Sequence, residues 1–319
     1  MKDIVVFSLS ANPDLAQEVV NHLGVDLGKI SVRHFKDGEI LVEPEQSVRG
    51  RNVFIIQSTC GPVNEHLMEL LICIDACKRA SANSITAVIP YYGYARQDRK
   101  ARARQPITSK LVANLLETSG VNRVITIDLH ARQIQGFFDI PTDDLSAVSM
   151  IGQYFRNKGF MGDGVVCVSP DHGGATRARK LADCLHTNVA IIDKRRPKEN
   201  QCEALNVIGD VDGKVAIIID DICDTGGSLL AGVNMLLENG ATAVYAAVTH
   251  GVLSSPAAQN IENSNLTQMI VTNTIPLSEE TKKVSKLKQV SVGYMLAKTI
   301  EAVNDYKPVS DVYNLFNEE

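Results

Sequence analysis

Apolar and polar positions along the chain fall into blocks of two kinds. Short runs rich in Val and Ile recur at Ile4–Phe7, Val53–Ile56, Ile85–Ile89, Val124–Ile127, Val165–Val168, Val189–Ile192, Val215–Ile219, Val244–Val248 and Met269–Val271. Their length and β-branched content predict buried strands. Between them lie segments with helical spacing, such as Glu65–Ala80 and Thr176–Leu185. Strand and helix in alternation predict an α/β fold with mainly parallel sheets flanked by helices.

The pattern also repeats. Val53, Ile55 and Ile56 return as Val215, Ile217 and Ile218, and the pairs Leu23/Leu185 and Ile30/Ile192 keep the same offset. A duplicated domain is expected, with copies at residues 1–145 and 146–304 and a break near Pro141–Ala147. The tail, 305–319, carries Val312, Tyr313, Leu315 and Phe316 and is expected to dock on a domain. The copies differ after the equivalent strands. The second has Asp220 and a Thr-Gly-Gly-Ser turn, whereas the first has Gln57, Ser58, Thr59 and Cys60. The first copy is therefore expected to serve another ligand or to pack against partners.

Bulk numbers narrow the function. At 319 residues, 45% hydrophobic and 22% charged, the chain can bury about two domain cores. Its net charge of −5 disfavours general nucleic-acid binding, so any anion site must be local. No run of apolar residues is long enough to span a membrane. The N-terminal MKDIVVFSLS reads as a first strand and not as a signal peptide. Seven scattered cysteines without a C-x-x-C pair fit reduced, mostly buried thiols and the cytoplasm.

The most informative chemistry lies in Val215–Leu229, VAIIIDDICDTGGSL. A strand leads through Asp220 and Asp221 into the turn Asp224-Thr225-Gly226-Gly227-Ser228. A helix follows, with apolar residues at 229, 230, 233, 236 and 237 and Gly240 past its end. Bare amides and the positive helix end suit a phosphate. The two carboxylates would repel that phosphate, and they suit sugar hydroxyls or a cation. The stretch reads as a holder for a phosphorylated sugar. It is neither a Walker A loop nor GxGxxG.

Other stretches carry more than one reading. Phe35-Lys36-Asp37-Gly38-Glu39 is a plain hairpin turn or a binder of a base and its ribose. Tyr91–Thr108 holds Arg96, Arg99, Lys100, Arg102 and Arg104, which make a solvated basic loop, a nucleic-acid contact that the acidic whole disfavours, or a mobile flap over polyphosphate. His130 closes the strand Val124–Ile127 as a structural His or a ligand. Asp171 follows Val165–Val168, and with His130 and a polyphosphate it could hold Mg²⁺. Asp193–Lys198 is an exposed basic hairpin, or it aims Lys194 and Arg196 at charge developing in phosphoryl-type transfer.

Taken together, FKDGE, IPYYGYARQDRK, DLHARQIQGFFDI, SPDHGGATRAR, IIDKRRP and the DD-x-x-DTGGS string resemble the ribose-phosphate pyrophosphokinase family across essentially the whole chain. Ser228 stands where Thr is usual, and the hydroxyl is kept. The resemblance implies two tandem phosphoribosyltransferase-like domains. It also implies transfer of diphosphate from MgATP to the 1-hydroxyl of ribose 5-phosphate, giving AMP and phosphoribosyl pyrophosphate. It implies Lys194 as the catalytic lysine. Arg196, Asp220, Asp221 and Asp224 through Ser228 would bind ribose 5-phosphate. Phe35, Asp37, Gly38, Glu39, Arg96 and Gln97 would bind ATP, and His130 and Asp171 would hold Mg²⁺. A homohexamer with ATP sites at subunit boundaries, phosphate activation and ADP inhibition are implied too. Two other readings share the fold: a phosphoribosyltransferase that consumes the pyrophosphorylated sugar, and a non-catalytic regulatory homologue.

Overall fold

The apolar runs become the strands of two separate sheets. The computed structural model describes residues 4–195 and 204–316. The first half contains β1 (Ile4–Ser8), α1 (Pro13–Leu23), β2 (Ile30–His34), β3 (Ile40–Pro44), β4 (Asn52–Ile56), α2 (Val63–Arg79), β5 (Ser84–Ile89), α3 (Thr108–Ser119), β6 (Arg123–Ile127) and β7 (Thr142–Leu145). Next come α4 (Val148–Asn157), β8 (Val165–Ser169), α5 (Ala175–Leu185), β9 (Asn188–Arg195), β10 (Ala204–Ile208), β11 (Val215–Cys223), α6 (Gly227–Glu238) and β12 (Ala243–Gly251). The chain closes with α7 (Ala257–Glu262), β13 (Gln268–Thr272), β14 (Leu287–Val290), α8 (Gly293–Asn304) and α9 (Ser310–Asn314).

Two units result. The first runs to Ser146 and takes in Thr274–Pro276 and Ser291–Tyr313, and the second takes Ala147–Asn273 and Leu277–Val290. In the first, five parallel strands lie in the order β1-β4-β5-β6-β7. One face packs Val5, Phe7, Val53, Ile55 and Ile89 against Leu70 and Ile74 of α2 and Val112 and Leu116 of α3. Alternation sends Val6, Phe54, Ile56 and Val88 to the other face, and these are buried as well. Burial on both faces is why the strands read as unbroken apolar runs.

The second unit repeats this plan. Its parallel strands β8-β11-β12-β13-β14 follow the same sequence order, and β9 lies on the far side of β8 with β10 antiparallel at the edge. The first copy keeps the counterpart of that hairpin as β2–β3, a separate antiparallel pair. In the second sheet the chain leaves β8 toward β9 on one side and leaves β11 toward β12 on the other. That reversal opens a crevice outside the C-terminal ends of β8 and β11, where open α/β sheets bind ligands.

The periodicity set 146–304 as the second copy, but α8 packs with the first unit. Its Tyr294 ring meets His22 of α1 edge-on, with centroids 5.4 Å apart, and Asn304 accepts a 3.2 Å hydrogen bond from Asn52. In the tail, Val312 is buried. No helix among the described residues is long and apolar enough to cross a membrane.

Candidate functional site

In the second unit β11 does not stop at Ile219. It runs on through both acids to Cys223, with Asp220 still in register with Val248 of β12. The strand backbone therefore carries Asp220 and Asp221 to the lip of the crevice. Because β8 and β11 are parallel, with Val168 level with Ile218, the first turn of α5 arrives beside the acids. There Arg177 Nη1 lies 3.0 Å from Asp220 Oδ1 and 3.3 Å from Asp221 Oδ1. Asp220 Oδ1 also accepts the Asp221 N–H at 2.9 Å. Burial, and then the neighbouring Asp221, push the Asp220 carboxyl up to about 7 against the opposing pull of Arg177.

The turn follows directly. Gly226 takes φ +78° and ψ −10° at the N-cap of α6, a left-handed conformation open to glycine at little cost. No side chain caps this helix start. The first helical amides are therefore presented above the turn with no intrahelical partner. Thr225, Gly227 and Ser228 are exposed beside them, while Asp224 is half-buried. Cys223 is buried beneath the turn, and burial pushes its thiol up to about 12.

At the end of β8, Ser169 donates to the Asp171 carbonyl at 2.6 Å, and Asp171 Oδ1 accepts the Gly174 N–H at 2.9 Å. Asp171 is exposed, and its other oxygen has no protein partner among the described residues. A single outward carboxylate oxygen of this kind suits a hard cation that completes its shell with phosphate oxygens and water. Beside it, His172 Nε2 lies 3.1 Å from Asp193 Oδ1, which ties the β8 loop to the end of β9. Lys194 follows in β9, paired with Leu205 of β10. Arg196 lies outside the described residues.

The first unit holds the remaining expected residues. Phe35–Glu39 is a hairpin turn between β2 and β3, closed by Phe35 N–H to Glu39 O at 2.8 Å and Gly38 N–H to Phe35 O at 3.0 Å. Gly38 has φ +93°, and Asp37 Oδ1 accepts the Glu39 N–H at 3.1 Å. Phe35 is 54% exposed. A cleft of about 660 Å³ opens beside the turn, lined by His34, Gly38, Glu39, Asn64, Glu65 and Met68 among others. Arg96 and Gln97 are exposed, and Gln97 Oε1 accepts from Thr108 Oγ1 at 2.5 Å. His130 is exposed just past β6. The chain turns toward it at Asp128, a buried residue at φ +42° held by Ser146 Oγ at 3.0 Å. Among the described residues no three His, Cys, Asp or Glu come close enough to hold a metal by themselves.

The first copy's counterpart of the glycine turn is filled. Gln57, Ser58, Thr59 and Cys60 are all buried. Gln57 Oε1 accepts the Ala11 N–H at 3.0 Å, and Ser58 Oγ donates to the Thr274 carbonyl at 2.5 Å. The Gly93 N–H reaches Thr59 Oγ1 at 2.6 Å. The Gln57 and Thr59 amides donate to the Val88 and Tyr91 carbonyls, both at 2.9 Å. Sequence reasoning passed over Arg177, the partner of both acids, because it is an arginine among others in Ala175–Lys180 with nothing in its spacing to single it out.

Residues 4–120 match the N-terminal domain of ribose phosphate pyrophosphokinase, and residues 196–314 match the phosphoribosyl synthetase-associated domain. The chain is 56% identical over 313 residues to the ribose-phosphate pyrophosphokinase of Bacillus subtilis (strain 168), covering 98% of each. It is 57% identical over 312 residues to that of Corynebacterium ammoniagenes, again covering 98% of each. Among solved structures it is similar to phosphoribosylpyrophosphate synthetase from Mycobacterium smegmatis. That likeness has a TM-score of 0.90 and 43% identity, and it covers 95% of this chain and 99% of that one.

Proposed function

The chain belongs to the ribose-phosphate pyrophosphokinase family, and on that premise we propose that it transfers the β,γ-diphosphoryl group of ATP to the 1-hydroxyl of ribose 5-phosphate. The products are 5-phosphoribosyl 1-diphosphate and AMP. The observation that carries this reading is the pairing of Asp220 and Asp221, at a strand end, with the amide-lined turn Asp224–Ser228. The turn receives the 5-phosphate, and the acids accept from ring hydroxyls. A sugar held at both ends keeps its 1-hydroxyl in line with the β-phosphorus. A new bond forms there from the sugar oxygen, and the bond from the β-phosphorus to the oxygen of AMP breaks. Positioning and charge compensation carry reactions of this class.

Lys194 is the catalytic lysine in this proposal, and with Arg196 it offsets charge on the moving diphosphoryl group. Phe35, Asp37, Gly38 and Glu39 bind the adenine end of ATP, with Arg96 and Gln97. Asp171 and His130 are the protein's ligands to Mg²⁺, and the carboxylate fits that ion better than the imidazole does. Bound Mg²⁺ neutralises phosphate charge. A homohexamer, activation by inorganic phosphate, inhibition by ADP and a cytoplasmic location belong to the same proposal.

The test is purified protein with MgATP and ribose 5-phosphate, no base added, and product masses read with and without inorganic phosphate. AMP and phosphoribosyl pyrophosphate in equal amounts are expected. ADP in place of AMP, or no product until a nucleobase is supplied, would overturn the reading.

A further inference from the structure

We propose that Arg177 is a positioning residue of the sugar site, holding the Asp220 and Asp221 carboxylates together as one acceptor array. The inference rests on the reading of these acids as the sugar's partners. A single nitrogen, Nη1, serves both carboxylates, at 3.0 Å and 3.3 Å, from a side chain only 17% exposed. Two adjacent acids at a strand end repel each other, and with no cation between them one takes up a proton or swings away. A protonated acid accepts fewer hydroxyl hydrogen bonds, so the sugar would lose part of its grip.

The surroundings give the sign of the effect. Asp220 shares its strand end with Asp221 and Cys223, Asp224 follows just beyond it, and β12 brings buried His250 opposite Ile222. Arg177 is the cation that reaches it from α5. Burial and Asp221 already raise the Asp220 carboxyl to about 7, and Arg177 opposes them. Without the guanidinium the carboxyl rises further, and sugar affinity falls away at a higher pH than in the native protein. Lysine is a partial substitute, because it keeps the charge but carries it on a compact ammonium of different reach from Nη1.

The experiment uses the full chain, with Arg177→Gln and Arg177→Lys, and Asp220→Asn as reference. The readouts are kcat and KM for each substrate between about pH 6 and 9, with a melting curve for each variant. Arg177→Gln is expected to raise KM for ribose 5-phosphate about tenfold, as for loss of a hydrogen-bonded charge, with KM for ATP little changed. Its KM should also begin to climb at a higher pH, and Arg177→Lys should fall between it and the native protein. A folded Arg177→Gln with native KM and native pH profile would overturn the role of Arg177 if Asp220→Asn still weakens the sugar. If Asp220→Asn leaves that KM unchanged as well, the sugar reading itself fails. Should Arg177→Gln not fold, a folded Arg177→Met, which also lacks the charge, with native sugar KM overturns the proposal.

Discussion

Single side chains here differ in how far their neighbours expose their roles. Lys194 stands at the end of β9, where a strand gives out, so its loss should cost little structure. Lys194→Ala is expected to keep the native melting temperature and to lower kcat by about 10²–10³, as for removal of one charge-stabilising donor. Turnover near the native value in steady-state assays would remove it from the chemistry. Cys223 is the opposite case. It lies inside the sugar-site sequence, yet its thiol is buried and pushed up to about 12. At pH 8 only about one such thiol in 10⁴ is ionised, so Cys223 should resist iodoacetamide until the protein unfolds. Peptide mass mapping reads this directly, and fast labelling of the native chain would contradict it. The acid pair, the glycine turn and the outward Asp171 were all legible in the sequence, because each is a local string with a chemical meaning. Arg177 was not, because its partners Asp220 and Asp221 lie in a different element, far along the chain. Such a contact exists only once β8 and β11 are neighbours.

Among elements, legibility follows position in the sheet. All nine apolar runs became strands, and every strand the apolar pattern missed is an edge or a detached hairpin. β7 closes one sheet, β10 and β14 close the other, and β2–β3 stands apart. A strand covered on both faces must be apolar throughout, whereas an edge strand such as Thr142–Leu145 tolerates two aspartates. The extension of β11 past Ile219 was hidden for a related reason. Its last residues carry site carboxylates in place of core side chains, so the apolar signal stops four residues before the strand does. The apolar part of β11 anchors the polar part. Ile218 is fully buried between Val168 and Ala246. Ile218→Ala is expected to destabilise the second unit by about 2–5 kcal/mol through lost packing and a residual cavity. Denaturant unfolding measures the loss, and a change under about 1 kcal/mol would mean that the strand is not the rigid platform described here.

For the molecule as a whole, duplication explains both the repeat of strand order and the division of labour. One copy keeps its glycine turn open, while in the other Gln57, Ser58 and Thr59 of the equivalent loop are hydrogen-bonded to backbone within the first unit. Sequence spacing detected the copies but not the path of the chain, which returns to the first unit after β14. That return has a consequence for where the first unit can be cut. Met295, Leu296 and Ile300 of α8 are buried, and α8 packs on α1 with Tyr294 against His22. A fragment ending at residue 146 has all five strands of its sheet but lacks α8, so it exposes apolar surface on α1. Each side chain of that size left in water forfeits about 1.5–3 kcal/mol, and a few are enough to exhaust the margin of a small domain. We therefore expect residues 1–146 alone to aggregate or melt well below the same fragment carrying residues 291–313 on a flexible linker. Circular dichroism melts of the two fragments decide it. Equal melting temperatures would mean that the first unit is complete at its sequence break and that α8 only decorates it.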